Sequence, residues 1–400
     1  MIHREIYLEK LRLLKDQNLI KVITGVRRCG KSTILEAFRT ELIETGISDR
    51  DIIFYNFEER ANIVIQDWAE IYDEIIIKTQ GSGKKYIFLD EVQLIPNFEK
   101  LINSLFTKKH LDLYITGSNA YLLSSELATL LTGRYIAINM QTLSFKEYFS
   151  AYKEGKSRDF LFRQYLNTSS FPEAVNLSKS APDLVNDYLQ SIFDTVIKKD
   201  IILRHKLRNS HNLQRIIEFL FDSIGSIISP TNIAKQLNKN SDKKISHNTV
   251  IKLIDFLCES YILYPAKRYD IKGKELLSSL EKYYLVDLGL KNIVHSNKYD
   301  TNLGHKLENI VYFELLRRGG KVFIGKNQDK EIDFVVQKAG NNIEYYQVAF
   351  TLSSEKTFAR EISALKNIND AYPKFILSMD YDNTVIDGIK KLNIIDWLLE

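Results

Sequence analysis

Residues 25–32 read GVRRCGKS, and this stretch decides how the chain around it folds. Gly25 and Gly30 let backbone amides converge on an anion, because glycine places no side chain between an amide and its ligand. Lys31 adds a positive charge for the β- and γ-phosphates of a nucleotide, and the Ser32 hydroxyl can ligate magnesium. The preceding NLIKVIT predicts a strand and the following STILEAFRTEL predicts a helix, whose N-terminal end attracts anions. This context disfavours a chance match in a turn and predicts a P-loop for ATP and Mg²⁺ with nucleotide contacts from Gly25, Val26, Arg27, Arg28, Cys29, Gly30, Lys31, Ser32 and Thr33.

The composition is that of an ordinary soluble globular protein. The 400 residues are 44% hydrophobic and 26% charged with a net charge of +4, and this length predicts roughly two to four domains. No apolar run approaches the ~18 residues of a membrane span, and the first residues, MIHREIYLEKL, mix both charge signs, unlike a signal peptide. Cys29 and Cys258 stand far apart without a His or Cys at metal-binding spacing, so we expect neither a zinc site nor a disulfide, and we expect a cytoplasmic location. The lack of a long apolar run predicts no membrane partner.

The first 145 residues alternate β-rich runs with helical patterns, which predicts an α/β fold with a mostly parallel sheet. The predicted strands are Leu19–Thr24, Ile52–Phe57, Tyr86–Leu89, Leu113–Thr116 and Tyr135–Asn139. The predicted helices are Ser32–Thr45, Ile65–Thr79, Phe98–Lys108 and Ala120–Leu131. Beyond Phe145 the pattern is helical to about Asn209, and after Tyr283 it reads helix, three strands, helix, strand, helix.

A second motif lies at residues 86–91, where YIFLDE places two carboxylates after four apolar or aromatic residues. Adjacent carboxylates at the end of so apolar a strand are costly unless they are used, which disfavours a solvated turn. Asp90 is therefore predicted to hold the magnesium shell, and Glu91 to polarise the attacking water. GSGKK at residues 81–85 lacks the P-loop spacing and is interpreted as a loop.

Two further positions are candidates for the same site. The strand LDLYIT ends in Gly117-Ser118-Asn119, and a polar side chain there would lie between the two motif strands and orient water. Asn119 is our choice and Ser118 ranks just behind it; the alternative is a turn that caps a helix. Arg134, in LLTGRYIAIN, is a candidate arginine finger for a neighbouring subunit or a nucleotide sensor within its own chain, and surface salt-bridging is the alternative. Arg204 is a weaker candidate of the same kind.

These features together resemble an AAA+-type ATPase, and more narrowly the bacterial and archaeal ATPases that join such a core to a C-terminal domain of unknown function. FPEAV at residues 171–175 and YYQVAFTL at residues 345–352 carry the narrower resemblance. The resemblance implies the fold and ATP binding. The residues themselves predict catalysis by Glu91, Asn119 and Arg134, and a role of Arg134 between subunits would require a homo-oligomer or a partner.

The middle of the chain predicts a winged helix. ISPTNIAKQL supplies a cap at Ser229 and Pro230 at the first helical position, and ISHNTVIKLIDFLCES places Val250, Leu253, Ile254 and Leu257 on one buried face. Residues 235–274 hold nine Lys or Arg against four Asp or Glu. A positive module of this shape favours duplex DNA as the partner of residues 229–274, whereas the scarcity of Arg on the polar face and Asp255 leave protein docking and a nucleotide lid open.

The last 120 residues resemble the restriction-endonuclease-like fold, named for its PD-(D/E)xK motif. The resemblance places Glu308 on the leading helix and Asp333 on the second strand, with Gln347 where an acid is expected and Ala349 where the lysine is expected. An amide is a poor magnesium ligand and alanine cannot activate water, and Glu344 would lie on the opposite face of the strand from Gln347. The two hypotheses are an active nuclease and a scaffold that keeps the fold without the chemistry.

The resulting division has four parts: an AAA+-type core at 1–145, a helical connector or lid at 146–210, a winged helix at 211–275 and a restriction-endonuclease-like α/β domain at 280–400. The leading functional hypothesis is ATP hydrolysis with magnesium that drives a conformational change. An ATP-regulated DNA-processing nuclease and a nucleotide-gated signalling or scaffold protein are the alternatives.

Overall fold

Alternating strands and helices build the N-terminal part of the chain, as the sequence pattern predicts. The computed structural model describes residues 2–60, 67–120, 131–152, 155–207, 210–239, 244–295 and 302–400. Unit 1 consists of Met1–Thr142 with Glu259–Tyr261, and unit 2 of Leu143–Cys258 with Ile262–Glu400. Within the described ranges no helix is long and apolar enough to cross a membrane.

Unit 1 is a parallel sheet with helical connections. Its strands are β1 Ile20–Thr24, β2 Ile52–Asn56, β3 Lys85–Asp90, β4 Leu111–Gly117 and β5 Tyr135–Asn139. Its described helices are α1 Glu5–Leu14, α2 Lys31–Glu44, α3 Phe57–Arg60, α4 Trp68–Lys78 and α5 Phe98–Phe106. The five predicted strands are confirmed with shifts of one or two residues at their ends, and the predicted helix at 120–131 lies almost wholly outside the described residues.

The strand order is β2-β3-β4-β1-β5, and every pairing is parallel. β1, β3 and β4 are buried along their whole length, which is why their sequences read as continuous apolar runs rather than as alternating ones. On α2, Ile34, Leu35, Phe38 and Leu42 are buried. The order places β4 between β3 and β1, so three strands that carry candidate residues end side by side at one edge.

Unit 2 begins with helices and continues into a large mixed sheet. Its helices are α6 Phe145–Ala151, α7 Arg158–Asn167, α8 Pro172–Ser180, α9 Val185–Thr195, α10 His211–Asp222, α11 Pro230–Asn238, α12 His247–Glu259, α13 Leu288–Val294, α14 Leu303–Arg317, α15 Glu355–Lys366 and α16 Ile394–Leu399. Its strands are β6 Ile227–Ile228, β7 Leu263–Asp270, β8 Glu275–Leu285, β9 Lys321–Asn327, β10 Lys330–Gln337, β11 Ile343–Val348, β12 Lys374–Ser378, β13 Thr384–Ile386 and β14 Ile389–Asn393. The sequence predicts one strand after α15. The structure has three there, because the short β13–β14 hairpin follows β12.

The nine strands form one sheet in the order β13-β14-β12-β11-β10-β9-β7-β8-β6. β7 pairs in parallel with β9 while it pairs antiparallel with β8, so the hairpin of the middle segment continues the sheet of the C-terminal segment. The stretch Tyr269–Ser279 is the end of β7, its turn and the start of β8.

The segment from α10 to β8 contains, in order, a helix, a short strand, two helices and two strands. Ser229 caps α11 by accepting a hydrogen bond from the Asn232 amide at 3.3 Å, and Pro230 opens the helix. The four apolar residues of α12 predicted to share a face are buried: Val250, Leu253, Ile254 and Leu257. β7 begins at Leu263, runs to Asp270 and pairs with β8.

Candidate functional site

The loop between β1 and α2 depends on two glycines with unusual backbone conformations. Gly25 has a φ of +151°, and a Cβ on it would lie 2.0 Å from the carbonyl oxygen of Met140. Gly30 has a φ of +104° and precedes the first residue of α2. Both conformations are strained for a residue with a side chain, so the chain can turn from strand to helix here only because glycine occupies these positions.

A buried arginine holds this loop to the rest of unit 1. Arg4, on the N-terminal side of α1, donates from Nη1 to the carbonyl of Cys29 at 3.0 Å and from Nη2 to the carbonyl of Gln141 at 2.9 Å. Cys29 is fully buried, and burial raises the pKa of its thiol. Sequence analysis missed Arg4, since a single arginine near the N-terminus carries no motif.

Lys31 lies inside the loop rather than in solvent. It is 4% exposed, and its Nζ donates to the carbonyl oxygens of Gly25 at 3.1 Å and Val26 at 3.2 Å. The same ammonium lies 3.5 Å from Oε1 of Glu91. The P-loop lysine and the carboxylate predicted to polarise water therefore form a buried ion pair.

Asp90 is the last residue of β3 and is 1% exposed. Its Oδ1 accepts a hydrogen bond from the Thr116 hydroxyl of β4, and the Ser32 side chain lies close enough to this carboxylate to lower its pKa. Burial raises the pKa of Asp90, and the hydrogen bonds from Ser32 and Thr116 oppose that rise. The two predicted magnesium ligands, Ser32 and Asp90, are thus brought together.

Glu91 follows in the left-handed conformation, with a φ of 54°. Its amide donates to Oγ1 of Thr116 at 2.9 Å, and its Oε2 accepts hydrogen bonds from Ser118 Oγ at 3.0 Å and from Gln93 Nε2. A non-glycine residue held at positive φ by surrounding contacts is typical of functional sites. The backbone conformation and both carboxylate oxygens are therefore fixed.

The charge state of Glu91 follows from these contacts. Burial alone would raise the pKa of Glu91, but the Lys31 ammonium and the Gln93 hydrogen bond outweigh it, with smaller contributions from Arg27 and Ser118. The pKa is lowered on balance, so Glu91 is an ionised carboxylate at neutral pH. It can accept a proton.

The end of β4 brings one predicted residue to Glu91 and adds another that was not predicted. Ser118 contacts the Glu91 carboxylate directly, whereas Asn119, our first choice, is buried next to it in the chain at 1% exposure. Thr116 contacts both Asp90 and Glu91. A threonine at the end of an apolar strand was the available signal for Thr116, and Gln93 gave none.

The remaining predicted residues lie further from the carboxylates. Arg134 is exposed just before β5, where its Nη1 donates to Asn103 Oδ1 at 3.0 Å and its guanidinium carbon lies 5.8 Å from the ring centre of Phe106. Arg28 is exposed, and Arg27 has Nη1 3.7 Å from Glu58 Oε1. Thr33 is exposed on the first turn of α2.

Unit 2 holds a separate acidic cluster at the positions of the nuclease motif. Glu308 on α14 accepts hydrogen bonds on Oε1 from the Tyr284 hydroxyl at 2.6 Å and from Lys282 Nζ at 2.9 Å. The same Nζ lies 2.7 Å from Oε1 of Glu331. Lys282 is 4% exposed; burial lowers its pKa, but the carboxylates of Glu308, Asp333 and Glu331 outweigh that effect and raise it. Lys282 comes from β8, a strand that the motif gives no reason to consider.

The side chains of Asp333 and Gln347 each accept a hydrogen bond from a backbone amide of the strand that carries the other residue. The Asp333 amide donates to Gln347 Oε1 at 3.1 Å, and Asp333 Oδ2 accepts from the Val348 amide at 2.8 Å. Burial and the charge of Glu308 raise the pKa of Asp333 well above its ordinary value. Ala349, two residues after Gln347, is buried. Asp333, Gln347 and Ala349 all line a cavity of about 660 Å³. Across the described ranges, no group of three or more His, Cys, Asp or Glu side chains is arranged to hold a metal ion.

Two family models match the chain. Residues 17–149 match an AAA domain, and this range contains the P-loop, Asp90, Glu91 and Arg134. Residues 159–301 match a domain of unknown function (DUF8612), which spans α7 to α13.

Relatives match over nearly the whole length. An uncharacterized protein of Haemophilus influenzae is 39% identical over 405 residues, covering 100% of this chain and 99% of that protein. An uncharacterized protein of Methanocaldococcus jannaschii is 28% identical over 403 residues, covering 95% of this chain and 85% of that protein. Among solved structures, the Walker-type ATPase of Pyrococcus abyssi matches with a TM-score of 0.52 and 14% identity, over 74% of this chain and 96% of that one. At this identity the likeness concerns the fold alone.

Proposed function

This chain belongs to the same family as the Haemophilus influenzae protein, and from that premise we propose that it is a magnesium-dependent ATPase that uses Lys31, Asp90 and Glu91. The observation that carries the proposal is the network of contacts around Glu91. Its backbone is in the left-handed conformation, and its carboxylate contacts the P-loop lysine and Ser118 at the end of β4. A network of this composition lies where the γ-phosphate of a P-loop nucleotide is expected.

Nucleotide binding would use the loop amides and the N-terminal end of α2. Lys31 is the residue that changes partners, because its ammonium now donates to Gly25 and Val26 carbonyls and pairs with Glu91. Phosphate oxygens carry more negative charge than a carbonyl and draw the ammonium away from Glu91. Loss of this ion pair is the first step of the conformational change that we assign to ATP.

Ser32 and Asp90 fit a magnesium ion, since both supply oxygen ligands and the Ser32 side chain acts on the Asp90 carboxylate. When bound, the ion neutralises charge that develops on the phosphate oxygens. Glu91 would then orient the attacking water and take its proton onto the carboxylate. Ser118 and Gln93 keep that carboxylate from rotating, and Thr116 holds the backbone of Glu91 and the side chain of Asp90 in register.

Arg134 is the residue we assign to the γ-phosphate from outside this network. It is exposed and donates to a neutral amide partner, Asn103, and among the residues that the structure describes no carboxylate forms an ion pair with it. We propose that it acts on the nucleotide of an adjacent copy in a homo-oligomer. An Arg134→Ala variant that loses turnover while its light-scattering mass stays oligomeric supports this role, and unchanged turnover excludes it.

The test of the ATPase proposal is phosphate release by the full chain with ATP, in magnesium and in EDTA. We expect magnesium-dependent release that disappears in Lys31→Ala, because the variant loses the ammonium that a P-loop lysine supplies to the β- and γ-phosphates. Lys109→Ala, an exposed lysine of the same unit, is the matched control and should behave as wild type. Equal phosphate release by Lys31→Ala and wild type would show that the P-loop lysine takes no part in the reaction.

The winged-helix-like segment is the candidate DNA-binding part of the molecule. His247, Asn248 and Lys252 are exposed on α12, on the side away from its buried apolar residues, and we propose that this face contacts the phosphates of a duplex. Binding that weakens steeply between low and high salt supports the contact. No binding of a labelled duplex at low salt would exclude it and favour a protein partner or a lid.

One observation favours a second candidate activity, phosphodiester hydrolysis in unit 2. Sequence analysis finds alanine in the lysine position, but Lys282 supplies an ammonium group to Glu308 from another strand. Against it stand the neutral Gln347 and the lack of a three-residue metal-binding group in the described chain. Metal-dependent cleavage of supercoiled DNA that disappears in both Asp333→Ala and Lys282→Met would establish the activity, and its absence in wild type leaves this unit as a scaffold.

A further inference from the structure

A cavity of about 590 Å³ in unit 2 lies outside both sites described above. Its walls come from the β7–β8 turn, the β9–β10 turn, the ends of β10 and β11, and the loop that follows α15. Small-molecule sites typically have volumes of ~300–1,000 Å³, so the cavity is large enough for a ligand the size of a nucleotide. No residue of the ATPase network lines it.

Three tyrosines give this cavity flat aromatic surfaces. Tyr269 and Tyr345 are 6% and 1% exposed, so their rings are held in place by packing. The Tyr345 hydroxyl donates to Asp370 Oδ2 at 2.6 Å, which fixes that ring further. Tyr372 is 38% exposed and is free to stack on a planar group that enters.

Amide side chains supply hydrogen-bonding groups around these rings. Gln328, Asn341 and Asn369 line the cavity, and in the part of the chain that the structure describes their side chains form no hydrogen bond with protein groups. Each amide offers two N–H donors and one acceptor. Asn and Gln side chains of this kind recognise the edges of nucleobases.

Two lysines line the cavity where it meets the β7–β8 turn, and the side chains of Asp270 and Glu275 flank the same turn without lining the cavity. Lys272 and Lys274 are exposed there, and neither forms an ion pair within the described residues. The carboxylate among the lining residues, Asp370, is already bound to the Tyr345 hydroxyl and lies 3.3 Å from Lys374 Nζ. An anionic group on the ligand would therefore lie at the turn, while a planar group would lie at the tyrosines.

We propose that this cavity binds a nucleobase together with its phosphate, with the base on Tyr372 and the phosphate at Lys272 and Lys274. A free nucleotide and a nucleotide within a single strand offer the same chemistry. An aromatic surface beside a basic turn is the arrangement with which proteins bind single strands without sequence preference. The proposal is independent of ATP turnover and of duplex binding.

The test uses the full chain in a Lys31→Ala background, so that the P-loop does not contribute to nucleotide binding. The probe is a fluorescein-labelled 12-mer of thymidylate, measured by anisotropy at low salt, with thymidine monophosphate as competitor. Tyr372→Ala should weaken binding about tenfold, the typical cost of losing one stacked base. Lys272→Glu combined with Lys274→Glu should weaken it further and lower the slope of log K against log salt by ~1–2.

Matched controls keep the readout specific. Tyr381→Ala and Lys321→Glu change an exposed tyrosine and an exposed lysine that do not line the cavity, and both should bind the oligonucleotide as the parent does. Displacement by thymidine monophosphate identifies the free nucleotide as the ligand, and resistance to it identifies the strand. Either result supports the proposal. No binding by either probe, or parental binding by both cavity variants, overturns it.

Discussion

Thr116→Val tests the part of the site that no motif predicts. Thr116 is fully buried, and its hydroxyl donates to Asp90 and accepts from the Glu91 amide at 2.9 Å. Valine keeps nearly the same shape, so packing is conserved while both hydrogen bonds are lost. A hydrogen bond to a charged group contributes ~1.5–3 kcal/mol, and an amide left buried without a partner costs at least ~1 kcal/mol.

These magnitudes set the expected kinetics. If ~2–3 kcal/mol of the lost interaction comes from the orientation of Asp90 and Glu91, kcat falls ~30- to 160-fold. The KM for ATP should stay within about threefold, because Lys31 and the loop glycines are unchanged. The hydrogen bond from Thr116 also lowers the pKa of Asp90, so its loss raises that pKa and moves the acid limb of the rate profile to higher pH.

The assay is steady-state ATP hydrolysis across pH, with circular dichroism to confirm folding. Thr116→Ser keeps the hydroxyl and is the matched control, which should retain kcat within a few-fold of wild type. A folded Thr116→Val protein with wild-type kcat and an unmoved acid limb would refute the positioning role. So would a loss that appears only in KM.

Three further predictions follow from other contacts. Gln93→Leu removes a hydrogen bond that lowers the pKa of Glu91, so the acid limb moves to higher pH and kcat drops several-fold while ATP affinity, measured by calorimetry, is kept. Gly25→Ala places a Cβ 2.0 Å from the Met140 carbonyl, and we expect lost ATP binding together with a lower melting temperature; wild-type binding would show that the loop adapts. Lys282→Met leaves the buried Glu308 carboxylate without its ion-pair partner and should destabilise unit 2 by ~3–5 kcal/mol, seen as an earlier unfolding transition in urea, whereas an unchanged transition would mean that the pair contributes nothing.

The parallel core was predictable because its signals are local. GVRRCGKS follows an apolar strand and precedes an amphipathic helix, and YIFLDE ends a strand that the structure buries completely. Strands buried on both faces have continuous apolar sequences, so strand positions in unit 1 were correct to within one or two residues.

The contacts between elements were less predictable than the elements. Ser118 and Asn119 both lie at the end of β4, but which of them reaches Glu91 depends on the side-chain geometry at the strand end. Thr116 becomes visible only when the strand order places β4 beside β3, whereas Gln93 reaches Glu91 from two residues along the chain but belongs to no motif. The contact of Lys282 with Glu308 was the least predictable, since the two residues are 26 positions apart in the sequence and Lys282 lies on a strand outside the motif.

Element boundaries in unit 2 illustrate a second limit. The sequence treats the winged-helix-like segment and the C-terminal segment as separate domains, while β7 pairs with both β8 and β9. Parallel pairing between distant strands leaves no local pattern in a sequence. The four-part division therefore stays a proposal, and the two compact units are what the structure shows.

The most direct measurement of the central claim compares ATP affinity and phosphate release in wild type and Glu91→Gln. Glu44→Gln, an exposed glutamate at the end of α2, is the control. We predict that Glu91→Gln binds ATP as tightly as wild type or more tightly and loses at least ~100-fold in turnover, with Glu44→Gln unchanged. Turnover by Glu91→Gln equal to wild type, or no turnover by wild type with or without DNA, would contradict the account and favour a nucleotide-gated scaffold.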